Sequence, residues 1–168
     1  MKNLYLIGGP MGVGKTATCR ELQKILPKNV FLDGDWCWDM KPFTVTEETK
    51  EMVQQNIAFM LNNFLRCSEY ENIIFCWVMH MQPIIDTILA ALETDGVTVY
   101  TVSLIADEAT LTEHILKDVS AGVRTGDVIA RSHAYRPLYD VLDTIKIDVT
   151  GITAAKAAQR IADMAYPQ

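Results

Sequence analysis

The stretch NLYLIGGPMGVGKTATCREL, residues 3–22, constrains the fold more tightly than any other part of the chain. A short apolar run, Asn3 to Ile7, breaks into glycines and then resumes with helical spacing. Gly9 to Thr16 spells G-x-x-x-x-G-K-[ST], a strand before it and a helix after it. Glycines in such a turn let successive amides point inward, and the start of the following helix adds its positive end, so the loop is shaped for an anion. The chain must therefore open with a strand that delivers a phosphate-binding turn onto a helix.

Four further apolar runs follow: Val30 to Asp33, Ile73 to His80, Val97 to Leu104 and Ile145 to Val149. They are rich in Val, Ile, Phe and Tyr and barely alternate, which suits strands covered on both faces. Between the second and third, Met52, Val53, Ile57, Met60, Leu61, Phe64 and Leu65 recur three and four apart and predict a helix, with Thr44 and Glu47 as its capping box. Helices are also predicted over Pro83 to Leu92, Ala109 to Lys117 and Thr153 to Met164. Alternating strands and helices demand crossovers, hence an α/β fold: a mostly parallel five-stranded sheet between two helical layers. Ligands of such sheets sit beyond the carboxyl ends of the strands.

The totals exclude other classes. A length of 168 residues predicts one domain spanning 1–168, able to bury a core without staples, and Cys19, Cys37, Cys67 and Cys76 form no C-x-x-C pair. A net charge of −6 argues against nucleic acid as a partner. No apolar run approaches the ~20 residues of a membrane span, and the N-terminal residues suggest neither signal peptide nor anchor, so a cytoplasmic location is expected.

Within the loop, Gly9, Gly12, Val13, Gly14, Lys15, Thr16 and Ala17 are the candidate phosphate-binding residues. Lys15 is expected to reach the β and γ phosphates and the Thr16 hydroxyl to hold Mg2+. The glycine spacing and the Lys-Thr pair indicate a triphosphate rather than a dinucleotide. A GTP switch is disfavoured, because the sole D-x-x-G is Asp148 to Gly151 after the last strand and no N-K-x-D occurs.

The phosphate loop, the Asp33-Gly34-Asp35 turn closing the second strand, and the basic segment KDVSAGVRTGDVIARSHAYR at 117–136 together resemble the small P-loop kinases, the group of shikimate, gluconate and nucleoside monophosphate kinases, over nearly the whole chain in element order. DGDWCW is also similar to uncharacterised bacterial nucleotide-kinase-like ATPases. The resemblance implies a three-layer P-loop NTPase fold with a short lid over 117–136. It implies ATP and Mg2+ as cofactors, Asp33 as a metal residue beside Thr16, and Asp35 against the acceptor hydroxyl. Two carboxylates beside a phosphate loop also suit phosphoryl transfer on chemical grounds. Arg124 and Arg131, favoured over Arg136, match the lid arginines that neutralise transition-state charge. Thr150 and Gly151 match the loop that packs on the base.

The pattern also departs from those kinases. His114, Lys117 and Asp118 stand where many carry an arginine. The third run ends Trp77-Val78-Met79-His80, without the usual Asp or the Gly-rich turn of shikimate kinase, which argues against shikimate itself. His80, at the carboxyl end of that run, is a candidate acceptor-site residue. The expectation is an ATP- and Mg2+-dependent kinase that transfers the γ-phosphoryl group to a hydroxyl or phosphate of a small-molecule acceptor, the protein being monomeric or homodimeric. A nucleoside or nucleotide acceptor is preferred, because Trp36 and Trp38 can stack on a ring while Gln54, Gln55 or Asn56 reads its edges. The alternatives are a sugar acid, an antibiotic hydroxyl, or a nucleotide-binding regulatory module without kinase activity.

Overall fold

The computed structural model describes residues 1–166. Its centre is a strand with side chains of both parities buried. In β1 (Lys2–Gly8) Tyr5 and Ile7 face one apolar cluster, while Leu4 and Leu6 face another. The same division holds in β3 (Asn72–Cys76), with Ile74 and Cys76 on the first side and Ile73 and Phe75 on the second. Side chains alternate along a strand, so a run without polar alternation can be satisfied only by helices on both faces.

The five strands are all parallel, in the order β2-β3-β1-β4-β5, with β2 at Asn29–Asp33, β4 at Val97–Ile105 and β5 at Ile145–Asp148. One face is covered by α1 (Lys15–Ile25) and α6 (Ala154–Ala165), through Cys19, Leu22, Ala158 and Ile161. The other is covered by α2 (Glu47–Arg66), through Val53, Ile57, Leu61 and Leu65, and by α3 (Gln82–Ala90), through Ile85 and Ile88. The remaining helices, α4 (Glu108–Ser120) and α5 (Val128–Tyr135), flank the 121–127 turn at the carboxyl end of the sheet. The expected α/β three-layer architecture is therefore present.

Two local expectations need correction. The third run stops being a strand at Cys76, because its neighbour β1 ends at Gly8. One last bond, Trp77 N–H to the Ile7 carbonyl, closes the ladder, so His80 lies four residues beyond the strand. The middle strand of the five is β1, with β3 beside it. The α2 cap is Thr46 with Thr49, not Thr44 with Glu47. Thr46 Oγ1 accepts from Thr49 N–H at 3.2 Å, and Thr49 Oγ1 accepts from Thr46 N–H at 2.8 Å and donates to the Thr44 carbonyl at 3.0 Å. A hydroxyl at the third helical position thus performs the reciprocal bond usually made by Glu or Gln, and Glu47 becomes the first helical residue.

Candidate active site

The turn after β1 presents backbone donors toward a cavity of about 520 Å³ lined by Gly12, Val13, Gly14, Lys15, Thr16 and Ala17. Among the described residues the N–H groups of Gly14, Lys15, Thr16 and Ala17 meet no backbone acceptor, as expected at the first turn of α1. Gly12 (φ +84°) packs tightly on α4. A Cβ there would stand 2.6 Å from Ile115 Cγ1 and 3.1 Å from the Leu111 carbonyl. Lys15 folds back into the loop, donating to the Gly9 carbonyl at 2.8 Å and to the Pro10 carbonyl at 3.1 Å. Burial lowers its pKa, with Cys76 and the Asp35 and Asp33 carboxylates working in the opposite direction.

At the end of β2, buried Asp33 accepts from Thr16 Oγ1 at 2.7 Å and from Asp35 N–H at 3.0 Å. The second bond starts the 3-10 turn Gly34–Trp38 and swings Asp35 over the loop. Gly34 is required by close approach: a Cβ would lie 2.6 Å from Trp77 Cγ. Asp35 is open to solvent yet walled by protein. Desolvation, followed by the Asp33 charge, pushes its carboxyl above the usual aspartate range, against the pull of Lys15, Arg124 and Trp77.

Thr16 and Asp33 offer two adjacent hard oxygen donors. Among the described residues no group of three or more His, Cys, Asp and Glu side chains is placed to hold a metal ion. That donor set fits Mg2+, which is usually bound by one or two protein oxygens together with substrate phosphates and water.

A second, larger cavity of about 1360 Å³ adjoins the first. Its walls are aromatic: Trp36, Trp38, Phe43, Trp77, His80 and Tyr135. Met11, Asp35, Val78 and Arg124 line both cavities and mark the border between them. Trp36 is 47% exposed and is steadied from behind by an edge contact with Phe31 and by the Arg20 guanidinium, 5.4 Å from its ring. Trp38 is half-buried against the second apolar cluster and tilts against Phe43, so it is both wall and packing. His80 stacks on Tyr135 at 4.1 Å, its Nδ1 is buried without a partner among the described residues, and desolvation lowers its pKa.

Lys50, Arg124 and Arg131 supply positive charge to this cleft. Arg124 is tied to Asp118 at 2.9 Å, whereas Arg131 stands 3.7 Å from Asp127 and reaches the larger cavity only. Arg136 turns away to the Ala106 carbonyl and Asp140.

Several expected positions lie elsewhere. Thr150 and Gly151 form an exposed turn, where Thr150 Oγ1 accepts from Asp107 N–H at 3.0 Å. Val149, Ile152, Thr153 and Ala154 line the cavity on that side. Gly9 turns its carbonyl to Lys15 and does not line the cavity. Gln54 borders the aromatic cleft, but Gln55 bonds Glu51 and borders a separate groove between α2 and α3, and Asn56 lines neither. Sequence reasoning missed Trp77, Phe43 and Tyr135 as walls. Only Trp77 carried a signal, its place directly after a strand.

This arrangement can be set beside known proteins. The AAA domain family matches residues 6–128, from β1 through the phosphate loop to the lid turn. The chain belongs to that family. Its fold is that of the small P-loop kinases. The tunicamycin resistance protein of Deinococcus radiodurans is similar at TM-score 0.72 and 18% identity, over 100% of this chain and 98% of that one. A gluconokinase from Sinorhizobium meliloti 1021 gives 0.64 and 15%, over 98% and 95%. Shikimate kinase from Acinetobacter baumannii, in complex with shikimate, gives 0.63 and 19%, over 98% and 93%. No curated protein sequence matches this AAA domain chain. Among its described residues no helix is long and apolar enough to cross a membrane.

Proposed function

We propose that this protein transfers the γ-phosphoryl group of ATP to a hydroxyl of a ring-bearing small molecule, with a nucleoside or nucleotide as the preferred class. The observation that carries the reading is the shared border: Asp35 and Arg124 line both the phosphate-loop cavity and the aromatic cleft. A donor in one and an acceptor in the other would meet between an acid and a cation.

The inward amides and Lys15 would bind the triphosphate, and the start of α1 favours its charge. Thr16 and Asp33 would hold Mg2+, which when bound neutralises charge on the phosphate oxygens. Asp35 would orient the acceptor hydroxyl and take its proton. The acceptor oxygen bonds to the γ-phosphorus, the bond to the β–γ bridging oxygen breaks, and ADP leaves. Arg124 would balance the charge that develops on the migrating group, and closure of the 121–127 turn would exclude water.

The acceptor preference rests on the six aromatic side chains of the cleft and on Gln54, which together suit a flat ring with polar edges. Shikimate and gluconate, named for two of the similar structures, are small and polar, whereas this cleft is broad and aromatic. The tunicamycin resistance protein keeps an antibiotic hydroxyl as the second acceptor class. The test is ADP release from Mg-ATP with and without nucleosides, nucleotides, sugar acids and hydroxylated antibiotics. Acceleration by a ring-bearing acceptor is expected. ADP release that no acceptor accelerates would refute transfer and leave a nucleotide-binding module.

A further inference from the structure

The phosphate loop is held by the two helices that flank the lid turn, α5 from outside the cavity and α4 from its wall, where His114 is itself a lining residue. Ser132 on α5, fully buried, donates its hydroxyl to the Met11 carbonyl at 2.6 Å. His114 on α4 bonds the Gly12 carbonyl through Nδ1 at 2.7 Å. A carbonyl only accepts, so Nδ1 carries the hydrogen. The two helices are joined to each other by Thr112 and His133 at 2.9 Å, and α4 also packs Ile115 and Leu111 against Gly12.

The geometric consequence follows from the trans peptide, whose carbonyl and N–H point in opposite directions. Carbonyls of Met11 and Gly12 turned out toward α5 and α4 send the N–H groups of Gly12 and Val13 inward. Val13 N–H indeed points at the Pro10 carbonyl, 3.2 Å away, the same atom that receives Lys15 Nζ. Two successive amide planes of the loop are thus fixed by side chains more than a hundred residues away in the sequence.

We propose that Ser132 and His114 are positioning residues. They hold the loop in its anion-binding shape, so that the arms of the lid set its affinity for polyphosphate. This rests on the reading of the loop as an ATP site.

The test is calorimetric titration of Mg-ADP and of inorganic tripolyphosphate into the wild type, Ser132→Ala, His114→Ala and the donor-retaining Ser132→Thr and His114→Asn. Loss of one anchoring hydrogen bond is expected to weaken both ligands by roughly five- to tenfold and by the same factor, with affinity restored in the Thr and Asn variants. Tripolyphosphate carries no base, so it separates shaping of the loop from direct contact with the nucleoside. Unchanged affinity for both ligands in the Ala variants would overturn the proposal. A loss for ADP alone in His114→Ala would also overturn it, because His114 would then be a base contact. Should Ser132→Ala fail to fold, Ser132→Cys, whose thiol is a weaker donor, takes its place, because half-buried His114 lines the cavity and could touch a phosphate directly. A wild type that binds neither ligand would overturn the nucleotide reading and this proposal with it.

Discussion

Gly12→Ala and Gly14→Ala form a paired perturbation whose magnitudes can be worked from the structure. Both glycines have positive φ, +84° and +94°, so a Cβ at either site carries the left-handed penalty of about 1–2 kcal/mol. At Gly14 a Cβ would meet nothing within 4 Å among the described residues, and that penalty is the whole cost. At Gly12 it would also press on Ile115 Cγ1 at 2.6 Å. Ile115 is fully buried and cannot swing aside, and the Leu111 carbonyl at 3.1 Å is backbone. Overpacking of this kind adds about 1–3 kcal/mol, for a total of about 2–5 kcal/mol. In a chain of this length the difference between the two variants corresponds to a melting temperature lower by roughly 2–12 °C in Gly12→Ala. Thermal unfolding monitored by circular dichroism, supported by urea titration, reads the difference directly. Equal stabilities, or a less stable Gly14→Ala, would refute the packing of α4 onto the loop.

Asp35→Asn is expected to lower acceptor-dependent turnover by about 10²–10⁴ with Mg-ATP affinity retained, which steady-state kinetics and titration check together. Because desolvation and Asp33 raise the Asp35 pKa, the acid limb of the turnover profile should fall above the ordinary aspartate range and vanish in Asp35→Asn. The sign for stability is opposite. A raised folded-state pKa means the stabilisation of the protonated form is present below the ordinary aspartate range and lost as pH rises through the raised value. Asp35→Asn should therefore melt no lower than wild type at neutral pH. Trp36→Ala should weaken acceptor binding at a stability cost of about 1 kcal/mol, because half its surface is already in solvent, whereas Trp38→Ala should cost about 1–3 kcal/mol as it leaves the α2-side cluster. Acceptor titration and urea unfolding of both variants separate the two effects.

The sheet was legible because Leu4 to Ile7 and Ile73 to Cys76 are apolar at both parities, a pattern that only a doubly covered parallel strand satisfies. The phosphate loop was legible because its residues act through backbone geometry that local sequence dictates. The end of β3 was not legible: Trp77 to Met79 is as apolar as a strand, and what stops it is the length of β1, a non-local fact. The α2 cap was misread for a related reason, since Thr49 can replace the usual Glu or Gln once its hydroxyl also reaches the Thr44 carbonyl. The aromatic cleft joins Phe43, Trp77 and Tyr135 from three separate segments, and no spacing rule links them. Thr150 and Gly151 were placed by position after the last strand, and they form an exposed turn between Val149 and Ile152, which line the cavity.

The central claim is that an acceptor in the aromatic cleft receives the phosphoryl group across the Asp35 and Arg124 border. The most direct measurement follows the γ-phosphorus of labelled ATP after incubation with Mg2+ and ring-bearing hydroxyl compounds. The account predicts label on the acceptor in step with ADP formed, and its loss when Asp35 is replaced by Asn. Label recovered solely as inorganic phosphate, whichever acceptor is supplied, would contradict it.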